Sequence, residues 1–326
     1  MDKLIRALPS LLQEAIAIGK AQKFDTFNNP INAVCISGLG GSGIGGDYIR
    51  LMVKSSCIVP IVVHRDYNLP AFVNKATLCI FSSYSGNTEE TLASLDTALS
   101  KDTNIIGISS GGKLREMGKQ HNFHVVNLPE GFAPRAALAY SIIQQLYILS
   151  AYNLISKEWI LDLNNLPDYI NSCQEEIMVK AKTIAQTIGD SLPIIYTTSD
   201  YEPLAIRLRQ QLNENSKILC WHHVAPELNH NEIVGWTQAH ADKKVIFILD
   251  ENIDPKLKKH TDFLQNIVGK LCEATITINP KGINVLQKYF YATHLVDWIS
   301  YYLALLRQVD AMQVNVINQL KKSLQK

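Results

Sequence analysis

Short apolar segments alternate with amphipathic segments along the first half of the chain. The apolar segments are rich in β-branched residues, whereas the segments between them carry apolar residues at helical spacing. Such continuous apolar runs predict strands that are buried on both faces of a parallel sheet. The predicted strands are residues 32–37, 58–64, 76–83, 104–109 and 123–128. Helices are predicted from about Thr88 to Leu99 and from Ala136 to about Tyr152.

The second half of the chain repeats this alternation of strands and helices. Its predicted strands are residues 192–198, 218–223, 243–250 and 273–278. Helices are predicted at about 167–188 and 285–307, followed by a short helix from about Gln313. We therefore expect an α/β protein with two doubly wound, parallel-sheet (flavodoxin-like) subdomains. The expected parts of the chain are a first subdomain at residues 1–150, a helical connection at 151–190 and a second subdomain at 191–326.

The composition argues against nucleic-acid and membrane partners. The 326 residues are 47% hydrophobic and carry a net charge of +1, without a long basic run. A protein that binds nucleic acid usually has a basic patch. No segment approaches the roughly 18 consecutive apolar residues of a membrane-spanning helix. The N-terminal segment has apolar residues at helical spacing with charges between them, and it lacks the apolar core of a signal peptide.

The six cysteines predict a reducing environment. No two of them form a C-x-x-C pair, and Cys35 and Cys79 fall inside predicted strands. This pattern is typical of buried free thiols rather than of a disulfide framework or a zinc site. We therefore expect a cytoplasmic protein.

A glycine-rich loop, "SGLGGSGIGGD", follows the first predicted strand and leads into a helix. Gly38, Gly40 and Gly43 fit the G-x-G-x-x-G fingerprint of dinucleotide-binding proteins, and Asp66 lies about 20 residues further on. Taken alone, the loop favours an NAD-dependent dehydrogenase. Because glycine-rich turns between strands and helices are common, it is also consistent with a tight turn that requires small residues.

A second loop, "SSYSGNTEET", follows the third predicted strand. It brings together the hydroxyls of Ser83, Ser85 and Thr88, and Gly86 allows a sharp turn. Hydroxyls beside the N-terminus of a helix form an anion site without a lysine or an arginine. Helix capping would account for one of these hydroxyls but not for three. The pattern therefore predicts a site for a phosphomonoester.

The two loops follow strands that are expected to be neighbours, and ligands of parallel sheets bind at the carboxyl ends of such strands. We therefore expect both loops to contact the phosphate. The expected contact residues are Gly40, Gly41, Ser42, Ser83, Ser85 and Thr88.

The motif S-x-S-G-x-T after a buried strand resembles the signature loop of the sugar isomerase (SIS) domain. Together with "GLGGSGIGGD", "PEGFAPRAALAYS", "QLNENSK" and "PELNHNEIVGW", in this order, it makes the whole chain similar to the bifunctional phosphoglucose/phosphomannose isomerases of archaea and some bacteria. The resemblance implies two SIS domains that isomerise a phosphorylated hexose. Glucose 6-phosphate, and mannose 6-phosphate with it, would be interconverted with fructose 6-phosphate through a cis-enediol. The family needs no metal or other cofactor and implies a homodimer.

The resemblance also assigns catalytic residues. Glu214, in N-E-N, corresponds to the base that moves a proton between C1 and C2, and Arg135 to a cation that stabilises the enediolate. His230, in H-N-E, corresponds to a histidine that assists ring opening and reaches the active site of the neighbouring subunit. Lys321 corresponds to a lysine of the last helix, with Lys322 as the alternative register.

The residues by themselves leave alternatives open. Glu214 could be an ordinary glutamate at a helix end, and Arg135 could form an ion pair with Glu130. Four histidines, at 222, 223, 230 and 240, lie close together in sequence, but their spacing matches no standard zinc pattern. Glu227 and Glu232 could orient the neighbouring histidine or cap local turns.

One segment departs from the family pattern. Many members read D-P-T-P-V after the long C-terminal helix, whereas this chain reads "DAMQV" at 310–314. A threonine in this segment is linked to mannose 6-phosphate in the family. Met312 and Gln313 therefore leave open whether mannose 6-phosphate is accepted.

Three other functions fit the sequence less well. A sugar-phosphate sensor of the SIS type would usually carry a basic helix-turn-helix segment, which the N-terminal 30 residues do not resemble. A ketose aminotransferase would need an N-terminal glutaminase with a nucleophilic cysteine, whereas Cys35 lies in a predicted strand. A dehydrogenase would leave the hydroxyl-rich loop without a role.

Overall fold

The structure is a computed structural model that describes residues 1–324, apart from the side chains at positions 321, 322 and 324. It contains two compact units. The N-terminal unit comprises Ala7–Tyr169, and the C-terminal unit comprises Ile170–Lys326 together with Met1–Arg6. Helix α1 (Asp2–Arg6) therefore belongs to the C-terminal unit, although it begins the chain.

The N-terminal unit contains a five-stranded parallel sheet with the strand order β2-β1-β3-β4-β5. The predicted parallel α/β architecture is thus confirmed. The strands are β1 (Ala33–Ser37), β2 (Ile61–His64), β3 (Thr77–Ser82), β4 (Asn104–Ser109) and β5 (His124–Asn127). The helices are α2 (Leu8–Ala21), α3 (Gly40–Met52), α4 (Glu89–Ser100), α5 (Gly112–His121), α6 (Leu138–Ala151) and α7 (Glu158–Asp162).

The core of the N-terminal unit lies around its central strands. Every residue of β1, β3 and β4 is buried, as expected for apolar strands that are covered on both faces. Helix α6 is buried along nearly its whole length and packs against α2 and α3. Cys35 and Cys79 lie opposite each other on β1 and β3, and both are free thiols.

The C-terminal unit contains a four-stranded parallel sheet with the order β7-β6-β8-β9. The strands are β6 (Leu192–Thr198), β7 (Trp221–Ala225), β8 (His240–Ile248) and β9 (Cys272–Ile278). The helices are α8 (Leu166–Ile188), α9 (Glu202–Glu214), α10 (Pro255–Val268), α11 (Val285–Leu306) and α12 (Asn315–Leu324). Helix α8 begins in the N-terminal unit and continues into the C-terminal unit.

The predicted boundaries of β7 were wrong at its start. The strand begins at Trp221 rather than at Ile218. The side-chain amide of Asn213 donates a hydrogen bond of 2.7 Å to the carbonyl of Ile218, which occupies that carbonyl outside the sheet. A side-chain contact of this kind cannot be read from the apolar pattern.

Both sheets have a point at which the strand order reverses. It lies between β1 and β3 in the N-terminal unit and between β6 and β8 in the C-terminal unit. In open parallel sheets, ligands bind in the crevice beyond the carboxyl ends of the strands at such a point. The loops after these four strands are therefore where a site is expected. Within the described part of the chain, the structure has no helix with the length and apolar character needed to span a bilayer.

Candidate active site

The loop after β1 is shaped by glycines that leave room for neighbouring backbone. A Cβ atom on Gly38 would lie 2.6 Å from the carbonyl oxygen of Ser82, at the end of β3. A Cβ atom on Gly43 would lie 2.4 Å from the carbonyl oxygen of Gly38. One on Gly41 would lie 2.6 Å from the carbonyl oxygen of Pro134. These glycines therefore hold the loop tightly against β3 and against the segment that precedes α6.

The hydroxyl-rich loop after β3 pairs two of its predicted phosphate ligands. The hydroxyls of Ser83 and Thr88 lie 2.9 Å apart. Ser83 is buried, and Thr88 directly precedes α4 but does not cap it with its side chain. Ser85 is exposed, and its hydroxyl accepts a hydrogen bond of 3.3 Å from the backbone N–H of Asn87. The Thr88 hydroxyl therefore faces the serine rather than the helix N-terminus that capping would require.

Gly86 sets the sharp turn of this second loop. Its φ is +68°, a left-handed conformation that L side chains rarely adopt. A Cβ atom at this position would lie 1.7 Å from the carbonyl oxygen of Gly111. No other amino acid therefore fits at Gly86 without displacement of the loop.

Tyr84 connects the two loops to a third segment, a role that the sequence did not reveal. Its backbone N–H donates to the hydroxyl of Ser42 at 3.2 Å, and its carbonyl accepts from the hydroxyl of Ser110 at 2.6 Å. Its own hydroxyl donates to the carbonyl of Pro129 at 2.7 Å and accepts from the N–H of Phe132 at 3.0 Å. Burial raises the pKa of Tyr84. The available signal was an aromatic residue inside an otherwise polar loop.

The backbone places Arg135 next to the glycine-rich loop. It lies in a short 3-10 helix, Pro134–Ala136, and its side chain is buried. Its Cα would be 3.3 Å from a Cβ atom on Gly41. The N-terminal unit thus assembles Gly41, Ser42, Ser83, Thr88 and Arg135 around the carboxyl ends of β1 and β3. A group of hydroxyls with an arginine residue next to it is suited to an oxyanion.

Asp66 does not join this group through its carboxylate. It is exposed after β2 and accepts a hydrogen bond of 2.7 Å from the backbone N–H of Tyr67. The neighbouring Arg65 instead approaches the glycine loop, with a hydrogen bond of 3.3 Å to the carbonyl of Gly43 and an ion pair to Asp47. The glycines of the G-x-G-x-x-G motif therefore allow close packing within this unit.

Glu214 lies in the C-terminal unit, at the last residue of α9, and is half-buried. The residues that follow it are fastened to α11. Asn215 donates to the hydroxyl of Ser300 at 2.9 Å, and the hydroxyl of Ser216 donates to the carbonyl of Ser300 at 2.6 Å. The ammonium of Lys217 donates to the carbonyl of Glu214. The end of α9 is therefore held by directional polar contacts.

A buried ion pair continues this attachment one and two turns earlier on α9. Arg207 donates two hydrogen bonds to Asp297 of α11, at 2.9 and 2.7 Å. Gln211 donates a third to the same carboxylate, at 2.8 Å. Residues 207, 211 and 215 share one face of a helix, so a single polar stripe orients α9 against α11.

His230 ends the 3-10 helix Glu227–His230 and is exposed. Its neighbour Asn231 donates to the carboxylate of Glu227 at 2.9 Å and accepts from the N–H of Glu232 at 2.6 Å. His222 is half-buried, and burial, with nearby Arg209, lowers its pKa to about 4. Across the described residues, no three His, Cys, Asp or Glu side chains are grouped to hold a metal ion.

Two further predicted positions lie near the C-terminus. Lys321 falls outside the residues whose side chains the structure describes. Met312 is 43% exposed, and its N–H donates to the carboxylate of Asp310 at 2.7 Å. Asp310 and Met312 line a cavity of about 240 Å³ together with Met1 and Tyr301. The departure from the family pattern thus borders a space within the C-terminal unit.

Comparisons with known proteins show which family the chain resembles. Residues 177–324 match the family described as bacterial phospho-glucose isomerase C-terminal SIS domain. A bifunctional phosphoglucose/phosphomannose isomerase of Caldicellulosiruptor bescii is 37% identical over 99% of this chain and 98% of its own length. One from Aquifex aeolicus is 32% identical over 91% of this chain and 92% of its own length.

The fold is similar to that of a solved enzyme domain. The C-terminal domain of glucosamine-fructose-6-phosphate aminotransferase from Francisella tularensis superposes with a TM-score of 0.76. That match covers 95% of this chain and 97% of the other at 17% identity, and it therefore describes the fold alone. From its similarity to the curated relatives over nearly its full length, the chain belongs to the family of bifunctional phosphoglucose/phosphomannose isomerases.

Proposed function

We propose that the protein interconverts glucose 6-phosphate and fructose 6-phosphate, and mannose 6-phosphate and fructose 6-phosphate, by proton transfer. The observation that carries the proposal is the pairing of Ser83 and Thr88, 2.9 Å apart, beside Ser42 at the reversal point of the first sheet. The names of the family relatives support the choice of these substrates.

The hydroxyl-rich loop suits the phosphate end of such a substrate. Hydroxyls donate to phosphate oxygens, and the start of α4, which no side chain caps, adds a favourable helix dipole. Binding at this end would restrict the position of the reacting carbons, so that binding energy assists proton transfer.

Glu214 is proposed as the base. Its carboxylate would take the proton from C2 of the aldose and return it to C1, while a second proton moves between O1 and O2. Arg135 would stabilise the negative charge of the intermediate cis-enediolate. The fastening of Asn215 and Ser216 to α11 supports this role because a base must be held in a defined position.

His230 is proposed to assist ring opening from the neighbouring subunit of a homodimer, and Lys321 to contribute from the last helix. The exposure of His230 on its own unit is compatible with a role in another subunit. These two assignments rest on the family pattern.

The proposal can be tested by assaying wild type and Glu214→Gln for fructose 6-phosphate formation from each aldose, with EDTA present. Removal of a general base should lower kcat by about 10³-fold with both sugars. Glu202→Gln, at the other end of the same helix, is the matched control and should retain activity.

Each departure from this result has a definite meaning. Wild type that binds sugar phosphates without turnover would overturn the proposal in favour of a sensor. Turnover of glucose 6-phosphate alone would remove mannose 6-phosphate from the proposed substrates. Residues 310–314, which depart from the family pattern, would then be the candidates for this restriction.

A further inference from the structure

The carboxylate of Glu232 attaches the segment that carries His230 to the sheet of the C-terminal unit. Glu232 accepts a hydrogen bond of 2.6 Å from the hydroxyl of Tyr196. The same oxygen, Oε1, accepts one of 2.9 Å from the indole N–H of Trp221. Tyr196 lies on β6 and Trp221 on β7, so the carboxylate joins the segment to two adjacent strands.

Tyr196 is well placed to act as a fixed donor. Its side chain is fully buried, and its hydroxyl also accepts a hydrogen bond of 2.9 Å from the indole N–H of Trp236. Burial raises the pKa of Tyr196, and the adjacent carboxylate of Glu232 raises it further, so the phenol stays protonated. One hydroxyl therefore holds the segment at both Glu232 and Trp236.

The exposed His230 lies between two attachments. Before it, Leu228 is fully buried in the apolar core of the C-terminal unit. After it, Glu232 is tied to Tyr196 and Trp221. An exposed side chain has few contacts of its own to define its position, so the backbone position of His230 depends on these flanking attachments.

The geometry asks for an acceptor at position 232 and not for a titratable group. Both hydrogen bonds arrive at one oxygen, and the amide oxygen of a glutamine could accept the same two. Glu214, in contrast, ends a helix and is proposed to exchange a proton. The two glutamates should therefore respond differently to the same isosteric substitution.

We propose that Glu232, Tyr196 and Trp221 are positioning residues that hold His230 for ring opening, and that Glu232 exchanges no proton with the substrate. This inference rests on the proposed isomerase function and on the role of His230 within it. It resolves the alternatives that the sequence left for Glu232.

The first test compares Glu232→Gln with Glu232→Ala and Tyr196→Phe. The last two should lower kcat for fructose 6-phosphate by about 10- to 100-fold, the cost of a displacement near 1 Å. Glu232→Gln should restore activity to within about threefold of wild type, because it keeps both hydrogen bonds. A Glu232→Gln variant as inactive as Glu214→Gln would overturn the inference.

The second test separates ring opening from proton transfer. In 5-deoxyfructose 6-phosphate, O5 is absent and O6 is phosphorylated, so this ketose stays in the open-chain form. Exchange of its C1 proton with solvent in D₂O, followed by NMR, reports proton transfer alone. Tyr196→Phe should leave this exchange within about threefold of wild type while it slows fructose 6-phosphate turnover. Glu214→Gln should slow both.

Tyr201→Phe is the matched control for loss of a buried phenol. Tyr201 lies in the same unit, is also buried, and donates to the carboxylate of Asp250. Tyr201→Phe should lower the unfolding temperature about as much as Tyr196→Phe does. It should leave unchanged the ratio of the rates measured with fructose 6-phosphate and with 5-deoxyfructose 6-phosphate. If Tyr196→Phe lowered the rates with both substrates equally, the inference would be overturned and Tyr196 would contribute to stability alone. Wild type inactive on both substrates would overturn the proposed function itself, and the inference with it.

Discussion

The two sheets reverse their strand order in the same way, yet the crevices at the two reversal points differ in chemistry. Beyond β1 and β3, hydroxyls of Ser42, Ser83 and Thr88 are grouped on glycine-containing loops. Beyond β6 and β8, the corresponding space contains Asp250 and Tyr201. The first crevice suits an anionic ligand, whereas the second already contains the carboxylate of Asp250.

The carboxylate in the second crevice is paired within its own unit. Asp250 accepts hydrogen bonds of 2.9 and 2.7 Å from the ammonium of Lys288, and it also accepts from the hydroxyl of Tyr201. A backbone N–H, that of Asn252, approaches the same carboxylate at 2.9 Å. In the second crevice, the donors Lys288, Tyr201 and the N–H of Asn252 are thus directed at the Asp250 carboxylate rather than at a ligand. The shared topology therefore does not give the second crevice the free hydroxyl donors that would suit a phosphate.

The largest expected effect comes from breaking the first crevice at Gly86. In Gly86→Ala, the new Cβ would lie 1.7 Å from the carbonyl oxygen of Gly111, so the loop must move. A displacement of this kind at the proposed phosphate site should lower kcat/KM for glucose 6-phosphate by at least about 100-fold. Steady-state kinetics and the unfolding temperature should be measured together.

Gly189→Ala is the matched control for this change. Gly189 also has a positive φ, +54°, but its nearest neighbour would be 3.7 Å from the new Cβ. The substitution should cost only about 1 kcal/mol of unfolding free energy through backbone strain, with activity unchanged. Equal kinetic effects of the two substitutions would show that strain, and not the shape of the hydroxyl-rich loop, limits activity.

An intermediate effect is expected when the second crevice is opened at Asp250. Asp250→Asn keeps the shape of the side chain but leaves the ammonium of Lys288, whose side chain is 16% exposed, without its counter-charge. Because the pair is only partly buried, we expect a loss of about 2 kcal/mol in unfolding free energy, measured by urea titration. Isomerase activity should change by less than about twofold, since the pair is assigned to stability. A large loss of activity with unchanged stability would place the second crevice in the reaction.

The sequence predicted the elements well where local chemistry decides them. The buried strands β1, β3 and β4 are continuous apolar runs, and their positions follow directly from that pattern. The start of β7 was misplaced because it depends on Asn213, which lies on the preceding helix and outside the apolar run. Boundaries set by side-chain hydrogen bonds have no periodic signal.

The candidate site divides in the same way. The hydroxyl-rich loop is visible in the sequence because Ser83, Ser85 and Thr88 lie within six residues of one another. The contacts that support it could not, because Tyr84 binds Pro129 and Tyr196 binds Glu232 across long stretches of chain. The pairing of Arg207 with Asp297 spans an even longer one. Sequence patterns therefore point to candidate site residues that are close together in the chain, and they miss the distant residues that hold them in place.

The smallest expected effect is a dependence of the stability of the second crevice on pH. Burial alone would raise the pKa of Asp250, but hydrogen bonds from Lys288 and Tyr201 outweigh burial and hold this pKa below its ordinary value. A carboxyl whose pKa is lower in the folded than in the unfolded chain stabilises the fold above its unfolded pKa, near 4. That stabilisation is lost as pH falls through the lower, folded value. The difference in unfolding free energy between wild type and Asp250→Asn should therefore be constant from pH 7 to about 5 and should shrink below about pH 4. Urea titrations of both proteins from pH 7 to about 3 measure this difference directly, and a difference that grows on acidification would contradict the ion pair as the source of stability.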